Sequence, residues 1–173
     1  MANQTETEAP NNDDGIHAHA ELAEQYLTFY MKEEEFGVNI LSVQEIRGWE
    51  AVTRIPNSPG HVLGVMNLRG TVVPVIDLRM SFGLTDLTYD DATVVIILNV
   101  ECSNSNKVMG VVVDAVSDVH NFSDKDIQPA PELSDKAQGQ YVKGLGSTEE
   151  HMVILLDLNE GLIQDQKALL SIH

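Results

Sequence analysis

Cysteine, tryptophan and positive charge are all scarce in this chain. Its 173 residues include one Cys, one Trp, 5% aromatics, and 10 Lys+Arg against 27 Asp+Glu. A single cysteine excludes an intrachain disulfide and fits a reducing cytosol. Cys102 lies in the polar stretch Glu101-Cys102-Ser103-Asn104-Ser105-Asn106, where no neighbouring base would activate its thiol. The net charge of -17 argues against duplex DNA, RNA and anionic membranes as partners, since all of them repel such a surface at long range. There is no apolar run of about 18 residues to insert into a membrane. The N-terminus has neither a basic nor an apolar leader region, so the cytoplasm is the expected location.

Reaction motifs are missing too. No G-x-x-x-x-G-K-[ST] phosphate loop, G-x-S-x-G elbow or H-E-x-x-H helix occurs. Gly144-Leu145-Gly146 lacks the third glycine of a dinucleotide fingerprint, and a strand follows it. Asp124-Lys125-Asp126 starts like a calcium loop, but Pro129 falls where Gly is needed and Asp135 where Glu is expected. His17 and His19 sit in a polar tail, and His61, His120, His151 and His173 are scattered. No nucleophile–base set is recognisable. The reading is a non-enzyme without cofactor or metal.

What the chain does contain is strands. Residues 1–25 read as a disordered acidic tail without a basic or, before Tyr26, an aromatic residue. From Tyr26 onward, β-branched and alternating segments of strand length recur between turn residues. Tyr26–Met31, Phe36–Ile40, Gly64–Leu78, Thr93–Leu98, Val108–Val113, Val116–Phe122, Tyr141–Leu145 and Met152–Leu158 are strand candidates. Val43–Arg47 fits a strand or a helical turn. Leu78–Phe82 suggests one helical turn ended by Gly83, and Glu160–Ile172 a short C-terminal helix.

The halves of the chain resemble each other. A shift of 73 residues superposes Val38, Ile40, Val43, Glu45 and Ile46 on Val111, Val113, Val116, Asp118 and Val119. A shift of 80 places Val73–Leu78 over Val153–Leu158, with Asp77 on Asp157. This points to an internal duplication. The expected fold is mainly all-β: two small five-stranded β-barrels, SH3-like or OB-like, on a shared hydrophobic core, with short helices. The first would span 26–85, and the second 86–173 with the C-terminal helix.

Asn67-Leu68-Arg69-Gly70 lies between two strand-like runs, where the chain should reverse. An arginine on a stiff hairpin is a placed donor for a carboxylate. With these pieces the chain resembles the CheW-like domain family over about residues 22–168. Phe36-Gly37-Val38-Asn39-Ile40-Leu41-Ser42-Val43-Gln44-Glu45-Ile46-Arg47 is similar to its opening signature. Gly64–Gly70 with Val73–Arg79, Gly110–Val119, Tyr141–Gly146 and Ile154–Leu158 match the later ones in order.

The resemblance implies a non-catalytic adaptor that joins the cytoplasmic tips of chemoreceptors to the regulatory domain of the histidine kinase CheA, at arrays on the inner face of the membrane. It places receptor contact in a groove between the barrels, on Val43, Glu45, Ile46, Gly64 and Arg69, and kinase contact on Glu132 and Leu133. From the residues alone, Val43 and Ile46 are either groove wall or core, and Glu45 and Arg69 either meet a partner or pair internally. The alternatives are an OB-like barrel serving another ligand, or a CheW-like adaptor of a non-flagellar chemosensory pathway.

Overall fold

The computed structural model describes residues 23–131 and 139–170, which are mostly strand. The chain runs β1 (Glu24–Met31), β2 (Glu34–Asn39), a 3-10 turn (Ile40–Ser42), β3 (Val43–Gly48), β4 (Val62–Leu68), β5 (Thr71–Asp77) and α1 (Leu78–Ser81). It continues through β6 (Val94–Cys102), β7 (Ser105–Val113), β8 (Ala115–Phe122), β9 (Ile127–Gln128), β10 (Val142–Ser147), β11 (Met152–Leu156) and α2 (Asn159–Leu170). The ambiguous Val43–Arg47 segment is thus a strand. One sheet has the order β8-β1-β2-β11-β10-β9, the other β3-β6-β7-β5-β4.

The repeat explains both orders. Let β1 to β5 correspond to β6, β7, β8, β10 and β11. The five-stranded order then becomes β8-β1-β2-β11-β10, which is the other sheet without β9. The registers agree as well. Val38 opposes Leu156 in the parallel β2–β11 pair, and Val111 opposes Ile76 in the parallel β7–β5 pair. Those four residues are related by the shifts of 73 and 80. Register breaks also recur, between Val62 and Gly64 against β5 and between Val142 and Gly144 against β11.

Each sheet is therefore assembled from both halves of the chain: each half gives its first two strands to one sheet and its remaining strands to the other, three from the first half and, with β9, four from the second. A sheet is not a contiguous segment, although the repeats are. Nor are the sheets closed barrels, as the strand count had suggested. Among the described residues β3 and β8 each keep one unpaired edge. Among the described residues, the chain leaving β3 meets β4 at the Thr53–Val65 bridge, and the chain leaving β8 meets β10 at the two-residue β9 and at the bond from the Ser147 N–H to the Asp126 carbonyl.

Alternation along the strands separates three apolar clusters. The largest lies between the sheets and takes Leu27, Phe29, Val38 and Leu156 from one and Ile76, Ile96, Leu98 and Val111 from the other. The opposite faces hold their own clusters, around Val75, Val95, Ile97 and Val112 in one sheet and Tyr26, Phe122, Val153 and Leu155 in the other. Leu162 anchors α2 on the shared core.

At the start of α1 the apolar interior holds a complete charge set. The Arg79 guanidinium is fully buried. It donates from Nε and Nη2 to the two Asp77 oxygens at 2.9 and 2.8 Å, and from Nη1 to Asp114 at 2.7 Å and the Thr88 carbonyl at 2.8 Å. Tyr89 donates to Asp77 at 2.6 Å, and its ring lies 4.8 Å from the guanidinium. Burial, then the neighbouring Asp77 carboxylate, pushes the Tyr89 phenol up to about 12. Burial opposes the charge on Arg79, but the two carboxylates outweigh it and hold the guanidinium above its ordinary value. Replacing Arg79 by Met is expected to cost about 3–5 kcal/mol, because the buried Asp77 is left unpaired. Urea unfolding of both proteins, compared at equal m-value, measures the loss.

A second buried acid ties down α2. His61 Nε2 and Asp165 Oδ1 are 2.5 Å apart, while Asp165 Oδ2 is buried with no hydrogen-bond partner among the described residues. The bond to Asp165 holds the His61 pKa above its usual value against the opposing effect of burial. A raised folded-state pKa means stability that is complete below the unfolded value near 6.5 and is lost as pH rises through the folded value. The stability gap between wild type and His61→Gln is thus expected to be largest near pH 6 and to narrow above it. Chemical denaturation of both proteins from pH 5.5 to 9 reads this directly.

Candidate functional site

The β4–β5 hairpin closes over two residues, Arg69 and Gly70, between the paired Leu68 and Thr71. Both have positive φ, 51° and 87°, as a type I′ turn requires. Gly takes that conformation freely and Arg does not, so the turn is paid for by its neighbours: the Asn67 side chain accepts the Gly70 N–H at 2.7 Å. The Arg69 side chain reaches β3, where Nη1 donates to Glu45 Oε2 at 2.9 Å. Arg47 Nη1 stands 3.7 Å from the other Glu45 oxygen. β3 is one edge of its sheet and the hairpin lies at the other, so this cluster spans the curl of the sheet. Arg69 is 73% exposed and Glu45 only 21%, which makes the arginine the solvated partner.

The other two β3 candidates lie on the opposite face. Val43 pairs with Leu98 and Ile46 with Ile96, on the side of the shared core, whereas Glu45 pairs with Ile97 of the smaller cluster. A register break between Val43 and Glu45 puts Val43 and Ile46 in phase. Val43 is half-buried and packs on the core, but Ile46 is 44% exposed at the free edge. β3 therefore presents an apolar side chain on one face and a charged cluster on the other, where the sequence suggested one mixed groove wall. Near the turn, Val72 is exposed as well.

Gly64 makes no polar contribution; it makes room. It has φ of 146°, and a Cβ there would lie 2.0 Å from the Thr53 carbonyl oxygen. Thr53 bridges Val65 at this point, with N–H to carbonyl bonds of 2.9 and 2.8 Å. Gly144 repeats the arrangement 80 residues on, its Cβ position 2.7 Å from the Gln128 carbonyl oxygen. Both glycines let the chain cross back over its own sheet.

Glu132 and Leu133 lie outside the described residues. The histidines are less scattered than their spacing suggested. His151 Nε2 hydrogen-bonds the buried Glu35, and His120 Nε2 lies 3.9 Å from that carboxylate. Among the described residues no group of three side chains could hold a metal ion. The sequence reading missed Arg47, and it passed over Arg79 as one residue of a helical turn. The Asp77-x-Arg79 spacing, with a cap position followed by a base, was the available signal. A groove of about 360 Å³ opens elsewhere, lined by Asn39, Leu41, Glu101, Asp157, Asn159 and neighbours, and none of the five receptor-site candidates borders it.

Residues 25–166 match the model of the CheW-like domain. The chain belongs to the CheW-like domain family. It is 44% identical over 150 residues to the chemotaxis protein CheW of Klebsiella aerogenes, covering 87% of this chain and 88% of that one. It is 40% identical to a probable chemotaxis protein CheW of Rhizobium etli, over 78% of this chain and 84% of the other. Among solved structures it is similar to the scaffolding protein TtCheW of Thermoanaerobacter tengcongensis, with a TM-score of 0.71, 29% identity, and coverage of 80% of this chain and 91% of that one. The mainly β architecture in two sheets agrees with that CheW-like structure.

The position of Gly64 within the CheW-like fold gives a direct test of its role. Gly64→Ala is expected to lower the melting temperature by ten degrees or more or to prevent folding, since no backbone shift of a few tenths of an ångström relieves a contact at 2.0 Å. Circular dichroism melts of the purified variant check this, and a near-native melt would show that the crossing at Thr53 does not require glycine.

Proposed function

We propose that the chain is a non-catalytic chemotaxis adaptor that couples the cytoplasmic tips of methyl-accepting chemoreceptors to the regulatory domain of the histidine kinase CheA. The observation that carries this reading is the free edge of β3, which presents the Arg69–Glu45 pair on one face and exposed Ile46 on the other, both within reach of a helix laid along that edge, with Val72 exposed beside the turn. A receptor helix needs an apolar strip and a few polar anchors, and these residues offer both. Arg69 uses one terminal nitrogen on Glu45, so its remaining donors are open to a partner carboxylate. Val43 and Gly64 support the site from beneath, and Glu132 and Leu133 are the proposed kinase contact. The site of action is the cytoplasmic face of receptor arrays. No helix among the described residues is long and apolar enough to cross a membrane.

Substitutions at the pair separate internal pairing from partner contact. Arg69→Ala should cost less than about 1 kcal/mol of stability, since the ion pair is solvent-screened on the arginine side. Receptor affinity should fall roughly tenfold or more, the worth of one charge-assisted bond of about 1.5–3 kcal/mol. The double exchange Glu45→Arg with Arg69→Glu should restore the melt and leave receptor binding weak. Pull-down of receptor fragments and CheA with each variant, beside its melt, is the test. A normal melt with normal capture of both partners by Arg69→Ala would remove Arg69 from the site.

A further inference from the structure

The internal repeat places two equivalent sites in the molecule, one filled and one open. The filled one surrounds Arg79. A shift of 80 residues carries Asp77, Leu78 and Arg79 onto Asp157, Leu158 and Asn159. A shift of 73 carries Asp114 onto Leu41. The β1–β6 correspondence, read from Leu27–Val38 and its mate Ile96–Val111, carries Met31 and Lys32 onto Val100 and Glu101. All six residues so reached line the groove of about 360 Å³. The groove is therefore the space that a guanidinium fills in the other half.

The local chemistry supports the equivalence. Asp157 accepts the backbone N–H of Asn159 at 3.1 Å, as Asp77 accepts that of Arg79 at 3.1 Å. The acid is in place and the base is missing, because Asn159 is short and its Oδ1 turns to the backbone N–H of Glu101 at 3.3 Å. Glu101 adds a second carboxylate where the filled site has Lys32. Lys143 also lines the groove, but its ammonium is held by Glu24 at 3.1 Å and Tyr26 at 2.8 Å. Leu41, 86% exposed, forms an apolar lip.

We propose that this groove docks an arginine side chain of a partner protein, its guanidinium on Asp157 and Glu101 and a neighbouring apolar residue on Leu41. The chain does not supply the arginine from elsewhere in its own sequence: its four arginines are Arg47, Arg54, Arg69 and Arg79, and none lines the groove. Residues 1–22 and 171–173 contain no Lys or Arg at all. With a net charge of -17, the surface attracts a cationic segment at long range.

The test is a titration of the isotope-labelled full chain, followed by amide NMR, with the tripeptide acetyl-Leu-Arg-Leu-amide. Controls are the same peptide with citrulline, which keeps the shape and loses the charge, and acetyl-arginine amide alone. The arginine peptide should give saturable, salt-sensitive shifts at Leu41, Glu101, Asp157 and Asn159, and the citrulline peptide should bind at least tenfold more weakly. Asn159→Arg carries its own guanidinium into the groove, so it should melt higher than wild type and no longer respond. Should that variant not fold, the exposed Glu101→Lys should abolish the response on its own. Equal binding of the citrulline peptide, shifts spread over the acidic surface, or an unchanged response of Glu101→Lys would overturn the proposal. Free acetyl-arginine amide binding as tightly as the peptide would overturn the assignment to a protein partner.

Discussion

The buried Arg79 guanidinium is the constraint that holds the two halves of the structure together. It joins α1 through Asp77, the loop before β6 through the Thr88 carbonyl, and the β7–β8 junction through Asp114. Asp114 in turn accepts the backbone N–H of Lys32 at 2.6 Å and so ties in the β1–β2 turn. Tyr89 links Asp77 to Trp49, whose ring lies 4.6 Å from its own. A buried ion pair gains little over a well-packed apolar substitute. Its effect here is geometric: five donors in one plane accept few arrangements of the segments around them.

The same constraint explains why the architecture was only partly legible. The strands could be read, since alternation and β-branched runs report local burial. The duplication could be read because it is one-dimensional. The exchange could not: nothing local in Phe36–Asn39 says that its parallel neighbour is Ile154–Leu156 rather than a strand of its own half. Pairing of that kind is decided by which apolar faces the whole chain brings together. The expectation of closed barrels came from counting strands within a half, and strand counts carry no information on edges.

At the candidate site, residue type was legible and side was not. Arg69 announced itself by its place before Gly70, and Glu45 by its acid among apolar neighbours. That Glu45 and Ile46 face opposite ways follows from the alternation of β3. That Val43 and Ile46 face the same way does not, because it depends on an irregularity at Gln44 visible only against β6. Gly64 carries a structural demand that its sequence context did not show, the close crossing of the Thr53 carbonyl. Arg79, whose side chain is wholly buried, read only as one residue of a helical turn, because burial of a base depends on partners distant in sequence, Asp114 above all.

Strand exchange also sets a schedule for synthesis. β2 cannot complete its sheet until β11 has left the ribosome, and more than a hundred residues separate Val38 from its neighbour Leu156. At bacterial elongation rates that interval is roughly ten seconds. During it, Phe36 and Val38, buried in the finished protein, lack the strand that lies beside them in the sheet. The strongly acidic composition then has a use before any partner is met: a nascent chain this negative repels its neighbours on the same polysome while its apolar strands wait.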